Sequence, residues 1–232
     1  MTRYAPRIAL IHATPIAMDP IRIAFENSWP NAERINILED SLSPDRAKET
    51  YVTEEMTDRI VALARYARTI GSDAILFTCS SFGSAIETAA SLLDIPVLKP
   101  NEAMFEAAIR KGGRTAMLYT FPPSREGMEA EFREEAARVS PTAEIESFLV
   151  DGAIDAVRAG DEATHNRLVA ERASALEGFD AITLAHFSTA RAIRAVQDVT
   201  RIPVLTSPDA AVAKLRFLLN EVPAAVHARI GD

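Results

Sequence analysis

The chain of 232 residues fits one large domain or two domains of about 100 residues each, and its 48% hydrophobic residues are enough for a buried core. Its formal net charge of −8 argues against a nucleic-acid partner, which needs a basic face to displace counterions from phosphates. The single cysteine excludes an internal disulfide, and no apolar run approaches the roughly 18 residues of a membrane span. We therefore expect a cytoplasmic protein that binds neither nucleic acid nor membranes.

Short apolar runs alternate along the chain with longer amphipathic stretches. The short runs are typical of buried strands, whereas apolar residues three or four positions apart are typical of helices. The predicted strands span residues 7–13, 33–38, 73–79, 95–100, 114–120, 144–150, 180–187 and 202–207. The predicted helices span residues 51–70, 81–94, 101–111, 151–159, 161–177, 189–199 and 209–220, and a further helix opens at Pro122. This alternation predicts an α/β fold with parallel sheets.

Two parts of the chain resemble each other in a fixed register. The segment that begins at Asp73 can be laid on the segment that begins at Asp180, and both contain Asp-Ala-Ile at the start and Ile-Pro-Val-Leu at the end. The same register aligns residues 7–15 with residues 114–122 without a gap. Because two separate blocks share one register, we interpret the chain as an internal duplication.

The duplication predicts two similar flavodoxin-like halves, each with its own parallel sheet and with the active site in the cleft between them. We expect the first domain to comprise residues 1–100 together with residues 208–232, and the second to comprise residues 101–207.

Candidate functional residues lie where predicted strands end, because ligands of open parallel α/β sheets bind beyond the carboxyl ends of strands. The repeat pairs Cys79 with His186 at two such ends. Cys79 also precedes a helix, whose amides are expected to lower the pKa of its thiol and make it a base or nucleophile. An imidazole titrates near neutrality, so we expect His186 to give or take a proton.

Further residues at the strand ends are candidates for substrate binding. Hydroxyl groups and helix-start amides at Ser80, Ser81 and Ser188 are suited to a carboxylate or an enolate-like oxyanion. The rings of Phe121 and Phe187 are expected to form an apolar wall of the pocket, although core packing explains them equally well.

Several familiar motifs are missing from the sequence. It has no G-x-G-x-x-G after a strand, no G-x-x-x-x-G-K-[ST], no H-E-x-x-H and no cysteine pair, so we expect neither a cofactor nor a metal. The acidic runs at residues 129–131 and 134–135 are interpreted as a solvated helix face, and His165 as a surface residue.

The string Thr78-Cys79-Ser80-Ser81, set in a duplicated chain with a matching strand end at residues 184–188, resembles the aspartate/glutamate/hydantoin racemase superfamily. That superfamily also includes maleate isomerases and arylmalonate decarboxylase. The resemblance implies two α/β halves, cofactor-free chemistry, a cleft for a small carboxylic or amino acid, and a homo-oligomer.

The resemblance also implies roles for residues. In the family's racemases a cysteine ends the equivalent strand of each half, and the two move the α-proton between opposite faces of the substrate. Cys79 matches the first cysteine, whereas His186 stands in place of the second. Ser80 and Ser81 match carboxylate-binding neighbours. Residues that resemble others lining the family's site are Thr14, Pro15 and Thr120.

Three hypotheses of function follow. In the first, Cys79 and His186 act as an unlike acid/base pair in a racemase or epimerase. In the second, Cys79 is the proton donor or nucleophile of a cofactor-free decarboxylase, or of a cis-trans isomerase of a small dicarboxylic acid. In the third, the protein binds a small acid without turning it over.

Overall fold

The computed structural model describes residues 5–221, which form two four-stranded parallel sheets covered by helices. The first sheet has the strand order β2-β1-β3-β4 and the second the order β6-β5-β7-β8. Their strands are β1 Arg7–His12, β2 Glu33–Leu38, β3 Ala74–Phe77, β4 Val97–Leu98, β5 Arg114–Tyr119, β6 Glu144–Leu149, β7 Ala181–Leu184 and β8 Val204–Thr206. The predicted α/β class with two similar parallel sheets is confirmed.

The helices connect successive strands and lie against the sheets. They are α1 Met18–Ser28, α2 Leu42–Arg46, α3 Glu54–Thr69, α4 Gly83–Ser91, α5 Glu102–Lys111, α6 Arg125–Val139, α7 Ala153–Arg158, α8 Glu162–Ser174, α9 Ile193–Gln197 and α10 Ser207–Glu221. The helices α1 and α2 were not predicted, because proline and polar residues near their starts are equally typical of turns. Within residues 5–221, no helix combines the length and apolarity that crossing a membrane requires.

Helices cover both faces of each sheet. Because alternate residues of a strand point in opposite directions, the apolar residues of the central strands are buried on both faces. In the first sheet, Ile8 and Leu10 pack with α1 and α10, whereas Ala9 and Ile11 pack with α3 and α4. The second sheet likewise contributes residues to two separate apolar clusters. The short buried runs in the sequence therefore correspond to central strands.

An equivalent hydrogen bond holds the first residue of β1 and the first residue of β5. The amide of Arg7 donates to Asp73 at 2.7 Å, and the amide of Arg114 donates to Asp180 at 2.7 Å. These two pairs are equivalent in the register that lays Asp73 on Asp180 in the sequence. Together with the matching strand orders, they support the interpretation of an internal duplication.

The last helix, α10, returns to the first sheet. Its residues Ala211, Val212 and Leu215 belong to the apolar cluster of Ile8 and Leu10. Lys214 of the same helix forms ion pairs with α5. The apolar contacts place α10 on the first sheet, whereas the ion pairs join it to α5, which the proposed division assigns to the second domain. The division at residues 100 and 208 stays a prediction, and its residues 222–232 lie outside the described residues.

Candidate active site

A small cavity lies where strands of both sheets end. Its volume is about 60 Å³. Among the candidate residues, those that line it are Thr14, Cys79, Ser80, Ser81, Phe121, His186, Phe187 and Ser188. The first four follow strands of the first sheet and the others follow strands of the second, so the cavity combines strand ends that are distant in sequence.

Two candidate residues do not line this cavity. Pro15 is exposed and opens a 3₁₀ turn over residues 15–17. Thr120 is only 2% exposed, and its amide and hydroxyl lie 3.5 and 3.4 Å from Nδ1 of His186. Thr120 therefore contacts the imidazole rather than the cavity.

Cys79 is partly buried, in extended conformation, directly before the 3₁₀ turn of residues 80–82 that leads into α4. Burial raises the pKa of its thiol, and the hydrogen bonds from the amide and hydroxyl of Ser81 and the charge of Arg46 oppose that rise only in part. The expected lowering of this pKa is wrong, because desolvation of the sulfur outweighs the donors around it. Without a ligand, the thiol is protonated at neutral pH.

His186 adopts a backbone φ of 72°, which is sterically unfavourable for a residue with a side chain. Its Nε2 lies 2.7 Å from Oγ of Ser124, and that hydroxyl lies 2.7 Å from the carbonyl of Phe121. A hydroxyl has one proton and the carbonyl can only accept, so we assign the ring proton to Nε2, which donates to Ser124.

Burial lowers the pKa of His186 to about 4. The expectation that this imidazole titrates near neutrality is therefore wrong. The structure gives it no carboxylate to offset the loss of hydration: among the described residues its hydrogen-bond partners are Thr120, Ser124 and the backbone of Ala185, none of which is charged. At pH 7 the cavity holds a protonated thiol and a neutral imidazole.

Sequence reasoning missed several residues of the cavity wall: Ile16, Ala17, Ser43, Thr78, Ile154 and Arg158. Arg158 carries the only cationic side chain on this wall within the described residues. Its guanidinium lies 5.7 Å from the centre of the Phe121 ring, and its side chain remains exposed. A cation at this position can attract a carboxylate. Arg158 ends the short helix α7 and follows no strand, so no pattern in the sequence marks it.

A second cavity of about 330 Å³ shares Ser80 and Ser81 with the first. Glu131 lines it with its side chain only 10% exposed, so the interpretation of residues 129–131 as a solvated face is wrong at this position. Burial raises the pKa of Glu131 to about 7, although Lys99 lies 3.8 Å away. The helix α6 therefore holds one buried carboxyl within an otherwise acidic surface.

His165 lies away from both cavities and is fully buried in α8, so its predicted place on the surface is wrong. Its Nδ1 lies 2.8 Å from the side-chain oxygen of Asn166. Burial lowers the pKa of His165. Since it contacts no candidate residue of the small cavity in a described hydrogen bond, we assign it to the packing of α8.

Comparison with known proteins gives a family and related folds. A family model described as Asp/Glu/Hydantoin racemase matches residues 12–177. Comparison with curated proteins gives no significant match. Among solved structures, glutamate racemase from Bacillus anthracis superimposes with a TM-score of 0.75 at 13% identity, covering 93% of this chain and 82% of that one.

Two further structures have related folds. Allantoin racemase from Klebsiella pneumoniae has a TM-score of 0.71 at 20% identity, covering 93% of this chain and 88% of that chain. A liganded double mutant of arylmalonate decarboxylase has a TM-score of 0.64 at 19% identity, covering 94% of each chain. The fold is thus shared by proteins named for different reactions.

Proposed function

Because the chain belongs to the Asp/Glu/hydantoin racemase family, we propose that it is a cofactor-independent racemase or epimerase that exchanges the α-proton of a small carboxylic or amino acid. The observation that carries the proposal is that Cys79 and His186, which follow equivalent strands of the two sheets, line one cavity. A group on each side of a bound acid is what proton exchange between two faces requires.

The acid would be held by donors around the thiol. Ser80, Ser81 and Ser188 offer hydroxyl groups beside the cavity, and Arg158 offers a charged fork for a carboxylate. The cavity volume of about 60 Å³ is well below the roughly 150 Å³ that holds benzene in an engineered cavity. This space suits the reacting end of a small acid.

The protonation states set the direction of the first half-reaction. With the ring proton on Nε2, Nδ1 of the neutral imidazole exchanges its contact with Thr120 for the substrate and accepts the α-proton. The electron pair of the broken C–H bond moves into an enolate, and the donors stabilise its oxygen. The thiol then delivers its proton to the opposite face of the α-carbon. This leaves a thiolate and an imidazolium, which is the form that acts on the other stereoisomer.

A specific observation favours decarboxylation as the second candidate. Both nitrogens of His186 already lie within 3.5 Å of protein groups, and the pKa of the ring is lowered to about 4. If the ring keeps these contacts, Cys79 alone exchanges protons. A protonated thiol can reprotonate the enediolate that forms when a malonate-type acid breaks its C–C bond and releases carbon dioxide.

The test begins with a panel of small carboxylic acids screened by thermal shift. Each acid that raises the melting temperature is incubated as a single stereoisomer in D₂O and analysed by mass spectrometry and chiral chromatography. We expect the opposite stereoisomer to appear with one deuterium at the α-carbon. Carbon dioxide release without inversion would support the decarboxylase instead. An acid that binds and undergoes neither change would contradict both and indicate a binding protein.

A further inference from the structure

Arg46, the last residue of α2, is a buried arginine with no part in the proton transfers proposed above. It is 7% exposed and lines the second cavity beside Ser80 and Ser81. Its Nε donates to the carbonyl of Ser81 at 3.1 Å. The other guanidinium nitrogens donate to the carbonyls of Glu49 at 2.6 Å and Thr50 at 3.5 Å.

These contacts leave the charge of Arg46 without an acidic partner. Within residues 5–221, no Asp or Glu oxygen forms an ion pair with its guanidinium, whereas Arg59 on the neighbouring α3 pairs with both Glu39 and Asp45. An arginine keeps its charge in proteins, and a buried charge is costly unless an opposite charge compensates for it. The charge of Arg46 would therefore stabilise an anion that forms close to it.

The sulfur of Cys79 can become such an anion, and the charge of Arg46 acts on it. Ser81, whose carbonyl Arg46 binds, directs both its amide and its hydroxyl to the sulfur. The charge of Arg46 acts in the same direction as these donors, since all three oppose the rise in the pKa of Cys79 that burial causes. Arg46 is thus linked to the thiol through a single residue.

We propose that Arg46 is a positioning residue that holds Ser81 against Cys79 and stabilises the thiolate formed when the thiol gives up its proton. The thiolate matters for turnover only if Cys79 exchanges protons, so the catalytic part of this inference rests on the proposed function. Its physical part concerns the thiol of the free protein and can be measured without a substrate.

The experiment measures the rate at which iodoacetamide alkylates Cys79 between pH 6 and pH 10.5, which is unambiguous because the chain has a single cysteine. In Arg46→Met we expect the profile to move upward by about one pH unit, so that the rate at pH 9 falls about tenfold. Arg46→Lys keeps the charge and should move the profile by less. Arg65→Met, at an exposed arginine of α3, is the matched control and should leave the profile unchanged.

The outcomes separate the inference from a merely structural role and from the proposed function. Slower alkylation of Arg46→Met, together with a thiolate absorbance at about 240 nm (read against the matching Cys79→Ser protein) that titrates as in wild type, would reveal restricted access and overturn the inference. An unchanged profile in a folded Arg46→Met variant would also overturn it. If Arg46→Met does not fold, the inference still requires an upward shift in Arg46→Lys, and a wild-type profile there would refute it. None of these results depends on whether the protein racemises an acid.

Discussion

The ends of β3 and β7 occupy equivalent places in the two sheets but differ in how far their surroundings offset the cost of a buried charge. At the end of β3, the sulfur of Cys79 receives two donors from Ser81 and lies near the cation Arg46. At the end of β7, the ring of His186 meets the uncharged side chains of Thr120 and Ser124. At the first strand end, donors and a cation offset part of the cost of a buried anion, whereas at the second strand end no charge offsets the cost of a buried cation.

This difference shows how two sheets of matching strand order can yield an asymmetric site. The strand ends determine where the two side chains lie, and the residues packed behind them determine which protonation state is stable. In the first sheet these residues come from the segment after β2 and the turn after β3, and in the second they come from the turn after β5. We therefore expect substitutions of Cys79 and of His186 to have unequal effects on activity.

Removing the thiol should have the largest effect. In Cys79→Ser we expect α-proton exchange in D₂O to fall about 10³-fold, because a serine hydroxyl is too weak an acid to donate the proton and too poor a base to accept it. Thermal shift with the same acid should still report binding. Ser91→Ala, on the exposed surface of α4, is the matched control. Exchange within tenfold of wild type would exclude Cys79 as the proton-transfer group.

Replacing the imidazole should have a smaller effect and should separate the two candidate reactions. Asparagine tolerates a positive φ better than most residues, so His186→Asn should preserve the backbone at 72°. If His186 is the base, we expect exchange to fall about 10²-fold. If Cys79 alone supplies the proton, carbon dioxide release should stay within a few-fold of wild type. His165→Asn, at a buried histidine outside the cavity, is the control and should leave either reaction unchanged.

Much of the fold was predictable because it depends on local patterns. The buried strands β1, β3, β5 and β7 are short apolar runs, and the repeat that lays Asp73 on Asp180 anticipated two sheets of like topology. The start of α3 is marked by Thr53, whose side chain accepts a hydrogen bond from the amide of Met56. Its end is marked by Gly71, which adopts a φ of 80°. The short helix α2, which carries Arg46, has no such signals.

The candidate site was predictable in position but not in chemistry. The sequence places Cys79 and His186 at strand ends, and the structure puts both on one cavity wall. Burial sets the direction of both pKa shifts. The side chains that act on or contact the two groups are Arg46 for Cys79 and Ser124 and Thr120 for His186, and each belongs to a different strand–helix connection from its partner. A tertiary environment assembled from separate connections leaves no local pattern, so the directions of both pKa shifts had to come from the structure.

The smallest expected effect concerns Glu131 of α6, whose carboxyl is harder to ionise than an exposed one. Burial raises the pKa of Glu131 to about 7 from the ordinary value of 4.5, so the folded state binds this proton more tightly than the unfolded state. Its contribution to stability therefore falls as the pH rises from 4.5 to 7. The lowered pKa of His186 acts in the opposite sense, because stability then rises with pH between about 4 and 6.5.

The variant Glu131→Gln isolates this contribution, since the histidine is the same in both proteins and cancels in the difference. We expect the free energy of unfolding in urea to favour the variant by about 1–3 kcal/mol more at pH 8 than at pH 5. Loss of the attraction to Lys99, 3.8 Å away, reduces this gain. Glu134→Gln, at an exposed position of α6, should show no such pH dependence. If the free energies of unfolding of wild type and Glu131→Gln change with pH in parallel, this carboxyl is hydrated in solution. His186 would then be the one group of this pair whose ionisation is disfavoured by burial.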